Sequence, residues 1–260
     1  MTQFEQTSAV PEPPPGEPNP PPQSWLDLAL YLLVGFGSFL LISALVALQF
    51  QELSLGAAFL LFLVNFACFG GVTVLLGVRR GKISWAQLGL RPFRWRWQWL
   101  LIGVGLAVLL LPGRAVLGLL VQILVEGNLD SLQARSDLIM GGALEFSWIG
   151  FLSTLLGAGI LVPIAEELYF RGLLHTWFWG KTDLVWLRVL ASSAIFALGH
   201  ADSISVVAAS SVIGIVNAIA YERTRSLFIP IVVHITTNSA AILLLYLALA
   251  AQNLLPGLAS

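Results

Sequence analysis

Apolar residues in this chain gather in long runs separated by short polar breaks. The runs that are candidates to cross a bilayer are Leu26–Phe50, Leu55–Val78, Trp99–Val125, Trp148–Trp179, Trp186–His200, Ile204–Tyr221 and Leu227–Gln252. About 20 apolar residues carry a helix across the hydrocarbon layer. The run Trp148–Trp179 is longer than that and must tilt, break, or kink at Pro163. The run Trp186–His200 is short and has room to continue past His200. The pattern predicts an all-α polytopic membrane protein, a bundle of seven to eight transmembrane helices around an intramembrane polar cavity, with seven spans as the adopted count.

Composition supports this class. The chain of 260 residues is 57% hydrophobic and 10% charged, where a soluble domain has about 25% charged residues. A net charge of −1 gives no footprint for nucleic acid. Cys68 stands alone in an apolar run, as a packed core thiol does. Residues 1–24 differ from the rest: Pro11, Pro13, Pro14, Pro15, Pro18, Pro20, Pro21 and Pro22 crowd a segment almost without aliphatic side chains. Such a stretch has nothing to bury and is expected to be a disordered, partly polyproline tail. The apolar run after it is too long for a signal-peptide core, so no cleaved leader is expected. The reading divides the chain into the tail 1–24, N-terminal helices and loops 25–147, a polar-motif core 148–252, and a C-terminal tail 253–260.

Basic residues orient the bundle. Arg79, Arg80, Lys82, Arg91, Arg94 and Arg96 lie between the second and third runs, and Lys181, Arg188, Arg223 and Arg225 fall on the same side. The opposite side holds Arg135 in an acidic loop with Glu126, Asp130, Asp137 and Glu145. The expectation is a cytoplasmic N-terminus, in the plasma membrane of a bacterium. All nine tryptophans lie near run ends, as an aromatic belt requires.

Against that apolar background three polar clusters stand out. They are Glu166-Glu167-Leu168-Tyr169-Phe170-Arg171-Gly172, Phe196 to His200, and His234 to Asn238. A charged side chain at the bilayer centre costs roughly 2.5 kcal/mol or more and usually marks function. Counting along helices at 1.5 Å per residue, Glu166 lies about 22 Å from Lys181 and His200 about 18 Å from Arg188. His234 and Asn238 lie roughly 14 and 20 Å from Arg225. All four side chains can therefore share one layer within the membrane, expected to open towards the cytoplasm. Glu167 and Arg171 are four apart and share a helix face, as do His234 and Asn238, and Phe196 and His200. Glu166 points about 100° away from Glu167 and is free for a separate task.

Glu-Glu-x-x-x-Arg-Gly, Phe-x-x-x-His and His-x-x-x-Asn in this order resemble the three motifs of the CPBP family, the type II CAAX prenyl endopeptidases and bacteriocin-processing intramembrane proteases. Tyr221 to His234 is similar to the family's lead-in to its last motif, and Gly89-Leu90-Arg91-Pro92 to a weaker upstream signature. The resemblance covers residues 148–252 well and 79–99 loosely. It implies an eight-helix-like membrane core with a cytoplasm-facing catalytic cavity. Carried over by position, Glu166 with His200 would activate water, His234 with Asn238 would stabilise the oxyanion, and Glu167 and Arg171 would support them. The substrate would be a membrane-associated protein or peptide, prenylated CAAX proteins being that of the eukaryotic relatives. Elementary chemistry agrees: peptide hydrolysis needs a base, and donors where negative charge develops.

Each group also admits a plainer role. The Glu167–Arg171 pair is read first as an ion pair locking helices, and His234/Asn238 has interhelical hydrogen bonding as its plain alternative. Glu166, His200 and His234 match a catalytic zinc set in residue type, but His-Glu-x-x-His is absent; metal-free water activation is preferred, with a divalent metal such as zinc as the alternative. His175 is expected at the membrane interface, Asp202 at a cap or turn, and Arg114 either snorkelling or lining the cavity. Ala208, Ser210, Ser211 and Gly214 suit close helix packing. Two further function classes compete: a proton-coupled transporter using the same residues, and a non-catalytic scaffold or immunity-type protein of the same fold.

Overall fold

The computed structural model describes residues 22–50, 54–90, 97–143 and 145–254. Most of the Pro-rich tail, Arg91, Arg94 and Arg96 of the basic loop, and residues 255–260 lie outside them. The described residues form eight helices and no strand: α1 Trp25–Gln49, α2 Leu55–Val78, α3 Trp97–Glu126, α4 Asp130–Met140, α5 Trp148–Trp179, α6 Val185–Leu198, α7 Ile204–Thr224 and α8 Phe228–Leu254. Six of them are long and apolar enough to cross a membrane. The seventh expected span is the shorter α6, which ends at Leu198 in a turn carrying His200. The eighth helix is α4. It lies in the acidic loop and ends at Gly141, whose φ of 66° is a left-handed cap that glycine adopts without strain.

The bundle is apolar outside and polar within. Leu33, Leu48, Leu101, Leu109, Leu124 and Ile149 are exposed on the outer faces of α1, α3 and α5, as lipid-facing side chains must be. Inside, α1 packs on α2 through an aromatic cluster of Phe36, Phe69, Tyr169 and Phe170. The approach of α1 to α5 depends on Gly35: a methyl group there would stand 2.7 Å from the Tyr169 hydroxyl. That hydroxyl donates to the Tyr31 carbonyl at 2.8 Å.

One end of the bundle gathers the described cations Arg79, Arg80, Lys82, Lys181, Arg188, Arg223 and Arg225. Here Ser24 and Asp27 form a capping box on α1, and Lys82 pairs with Asp27 at 3.2 Å. The other end carries α4 and the start of α7, tied together by Arg135 to Asp202 and by Ser131 to Ser203 at 3.2 Å. Asp202 is therefore an ion-pair partner in a turn and does not cap α7.

The long helix α5 runs from Trp148 to Trp179 without a break. Two stretches, Leu155–Leu161 and Leu168–His175, are π-helical, closing i→i+5 hydrogen bonds. Val162 accordingly donates to the carbonyl of Gly157. In that register the next donor would be residue 163, bonding to Ala158, but Pro163 has no N–H. The Ala158 carbonyl is taken instead by Asn238 Nδ2 of α8 at 3.3 Å, and Ser239 Oγ reaches Gly159's carbonyl at 3.5 Å. A proline inside a membrane helix is tolerated where a neighbouring helix satisfies the carbonyl it abandons.

Candidate active site

The three clusters meet. Glu166 and Glu167 leave α5 between its π-helical stretches and are 5% and 0% exposed. Glu167 Oε1 is the hub: it accepts from Arg171 Nη1 at 3.1 Å, Asn217 Nδ2 at 2.9 Å and His234 Nδ1 at 2.8 Å. Arg171, fully buried, spends a second nitrogen on the Gly214 carbonyl at 3.0 Å and lies 4.4 Å over the Phe196 ring. One carboxylate thus fastens α5, α7 and α8, and its guanidinium partner adds α6.

His234 stands between the two glutamates. With Nδ1 donating to Glu167, its Nε2 lies 3.7 Å from Glu166 Oε2, too long for a direct hydrogen bond. Glu166 Oε1 accepts from Asn65 Nδ2 at 3.4 Å, and Oε2 has no hydrogen-bond partner.

His200 takes a defined tautomer from its backbone. Its Nδ1 is 3.0 Å from the Phe196 carbonyl, which can only accept, so Nδ1 carries the hydrogen and Nε2 keeps a lone pair. Phe196 packs 5.0 Å from the His200 ring and 5.6 Å from that of His234, centroid to centroid.

A cavity of about 650 Å³ adjoins this cluster. His200, His234, Asn238, Arg114, Arg135, Ser205 and Ser210 are its polar lining, amid side chains such as Leu119, Ile139 and Ile242. Glu166 is not on the wall; it meets the cavity through His234. The cavity runs from the histidines towards α4 and the first turn of α7, away from the cation-rich end. A cytoplasmic basic end and a cavity opening towards the cytoplasm, both expected from the sequence, do not go together in this geometry.

Two side chains of this site carry no motif. Asn65 and Asn217 are single amides in otherwise apolar helices, and each donates to one of the paired glutamates. An isolated amide at hydrocarbon depth was the available signal. His175 differs from expectation. Instead of facing the interface it is buried, with Nδ1 2.7 Å from Ser192 Oγ and Nε2 2.9 Å from Glu222. Glu222 also accepts from Arg188 and Trp179, a second polar knot at the cation-rich end.

Among the described residues no group of three or more His, Cys, Asp and Glu stands where it could hold a metal ion. His234 holds Glu167 through Nδ1 and turns Nε2 towards Glu166 at 3.7 Å, and no step below is routed through a metal.

Searches of curated proteins and of solved structures return no match. Residues 148–240, which hold all three clusters, match the model of a protease family. That model is of the Rce1-like type II CAAX prenyl endopeptidases, and over this stretch the chain is similar to that family.

Proposed function

We propose that the chain is an intramembrane endopeptidase that hydrolyses a peptide bond in a membrane-associated protein or peptide, prenylated or otherwise lipid-anchored. The observation that carries this reading is the convergence of His200, His234 and Asn238 on one mostly apolar cavity, with Glu166 directly behind. His200 Nε2 and Glu166 Oε2 are two proton-accepting atoms without another partner in the cluster, suited to take a proton from attacking water. Asn238 has a second N–H beyond the one held by Ala158, and a proton on His234 Nε2 adds a donor; together they can meet the oxyanion. Because Nδ1–H is committed to Glu167, His234 donates from Nε2 only when its ring carries both protons. Glu167 and Arg171 act by fixing His234 and the helices around it.

In this reading the cation-rich end and the N-terminus are cytoplasmic, in a bacterial plasma membrane, following the distribution of Lys and Arg. The cavity then extends towards the opposite face.

The test is cleavage of a lipid-anchored reporter peptide by purified protein in liposomes, followed by mass spectrometry. Wild type is expected to cut at one position, and Glu166→Gln and His200→Ala to lose roughly 10²-fold or more while remaining folded. Undiminished cleavage by Glu166→Gln would defeat the mechanism.

A further inference from the structure

Arg114 is used by neither the hub nor the water-activating pair. It lies on α3 two residues after Pro112 and about 18 Å, by helical rise, from the helix end at Glu126. That is too deep to count as an interfacial charge. Its side chain lines the cavity, and its Nη1 is buried without a hydrogen-bond partner. The carboxylates already described have other partners: Asp202 pairs with Arg135, Glu166 Oε1 accepts from Asn65, and Glu167 pairs with Arg171. Among the described residues no acid pairs with Arg114. Around it the wall is hydrocarbon, including Leu111, Ala115 and Leu119 of its own helix.

A permanent cation at this depth is expensive unless something neutralises it, and a guanidinium matches a carboxylate as a two-pronged partner. We propose that Arg114 is the anion anchor of the cavity, and that it receives the free carboxylate of the substrate's C-terminal end while the scissile bond lies at His200. This rests on the endopeptidase reading for the identity of the bound chain. It adds a specificity-determining residue outside the three motifs. The cavity would then select its substrate at both ends of its chemistry, by hydrocarbon along the wall and by charge at one point. Arg135, the other cavity-lining cation, is already neutralised by Asp202 and is not the anchor.

The experiment compares two lipid-anchored peptides, identical except for a C-terminal carboxylate or carboxamide, in phosphatidylcholine vesicles. Wild type is expected to favour the acid by roughly tenfold or more, chiefly through KM. Arg114→Gln should bring that ratio close to one, and Arg114→Lys should restore part of it. Repeating the assay in vesicles containing phosphatidylglycerol separates the sources of the anion. If wild type ignores the carboxylate and Arg114→Gln changes only the response to anionic lipid, the carboxylate assignment falls and a headgroup phosphate replaces it. Equal treatment of both peptides by wild type in both lipids, or an unchanged ratio in Arg114→Gln, also overturns it. Fluorescence anisotropy of the two labelled peptides on Glu166→Gln protein reads binding without turnover. Tighter binding of the acid there, lost on adding Arg114→Gln, upholds the anchor even where no peptide is cut, and the endopeptidase reading alone would fail.

Discussion

Replacing Arg171 by Met tests whether the Glu167 hub is a structural lock. The substitution keeps chain length and removes the guanidinium that contacts Glu167, the Gly214 carbonyl and the Phe196 ring. It leaves Glu167 fully buried, still accepting from Asn217 and His234 but with its charge unbalanced. Breaking a buried pair from one side costs about 3–5 kcal/mol. For a chain of this size each kcal/mol is about 2–4 °C of melting temperature. Arg171→Met should therefore unfold roughly 6–20 °C below wild type when followed by tryptophan fluorescence in detergent. Glu167→Gln in the same background removes the orphaned charge and keeps an acceptor for His234. The double variant is expected to recover at least half of the lost stability, which a double-mutant cycle reads as strong coupling. The reasoning fails if Arg171→Met melts within about 2 °C of wild type. It fails equally if the double variant is no more stable than the single one.

Two further outcomes follow from the geometry. Asn238→Ala strands the Ala158 carbonyl and should cost about 1–2 kcal/mol; in a Pro163→Ala background, where residue 163 regains an N–H, thermal unfolding should show a smaller loss. With Cys68 replaced by Ala, Gln133→Cys on α4 should react with a membrane-impermeant maleimide from outside intact cells, and Arg80→Cys only after permeabilisation; the reverse pattern would place the cavity's α4 end in the cytoplasm.

The spans were readable because each is a continuous apolar run, and their ends agree with the helices to within a few residues. The motif residues were readable because Glu166, Arg171 and His234 are expensive in such surroundings. What escaped depends on partners distant in the chain. His175 looks interfacial until Glu222 and Arg188 close over it, and Asn65 meets Glu166 across 101 positions. Helix α4 was hidden by its polarity, since hydropathy cannot distinguish a short polar helix from a loop. Its own signals were the Gly141 cap and the four-apart Gln133 and Asp137, which hydrogen-bond at 2.9 Å. The course of the cavity was not readable either, because counting residues along helices gives depth but not which end a void reaches.

The π-helical stretch Leu155–Leu161 sets the angular phase of everything after it on α5. Were the same residues wound there in ordinary α register, Glu166 and Glu167 would turn by about 100° relative to Trp148. Every side chain of the hub would remain present in the polypeptide, yet His234, Asn217 and Asn65 would face the wrong side of α5. In this stretch, then, the winding of the backbone is as much a part of the site as residue identity, and a change that rewinds it as α-helix at fixed length should silence the protein as completely as loss of Glu166.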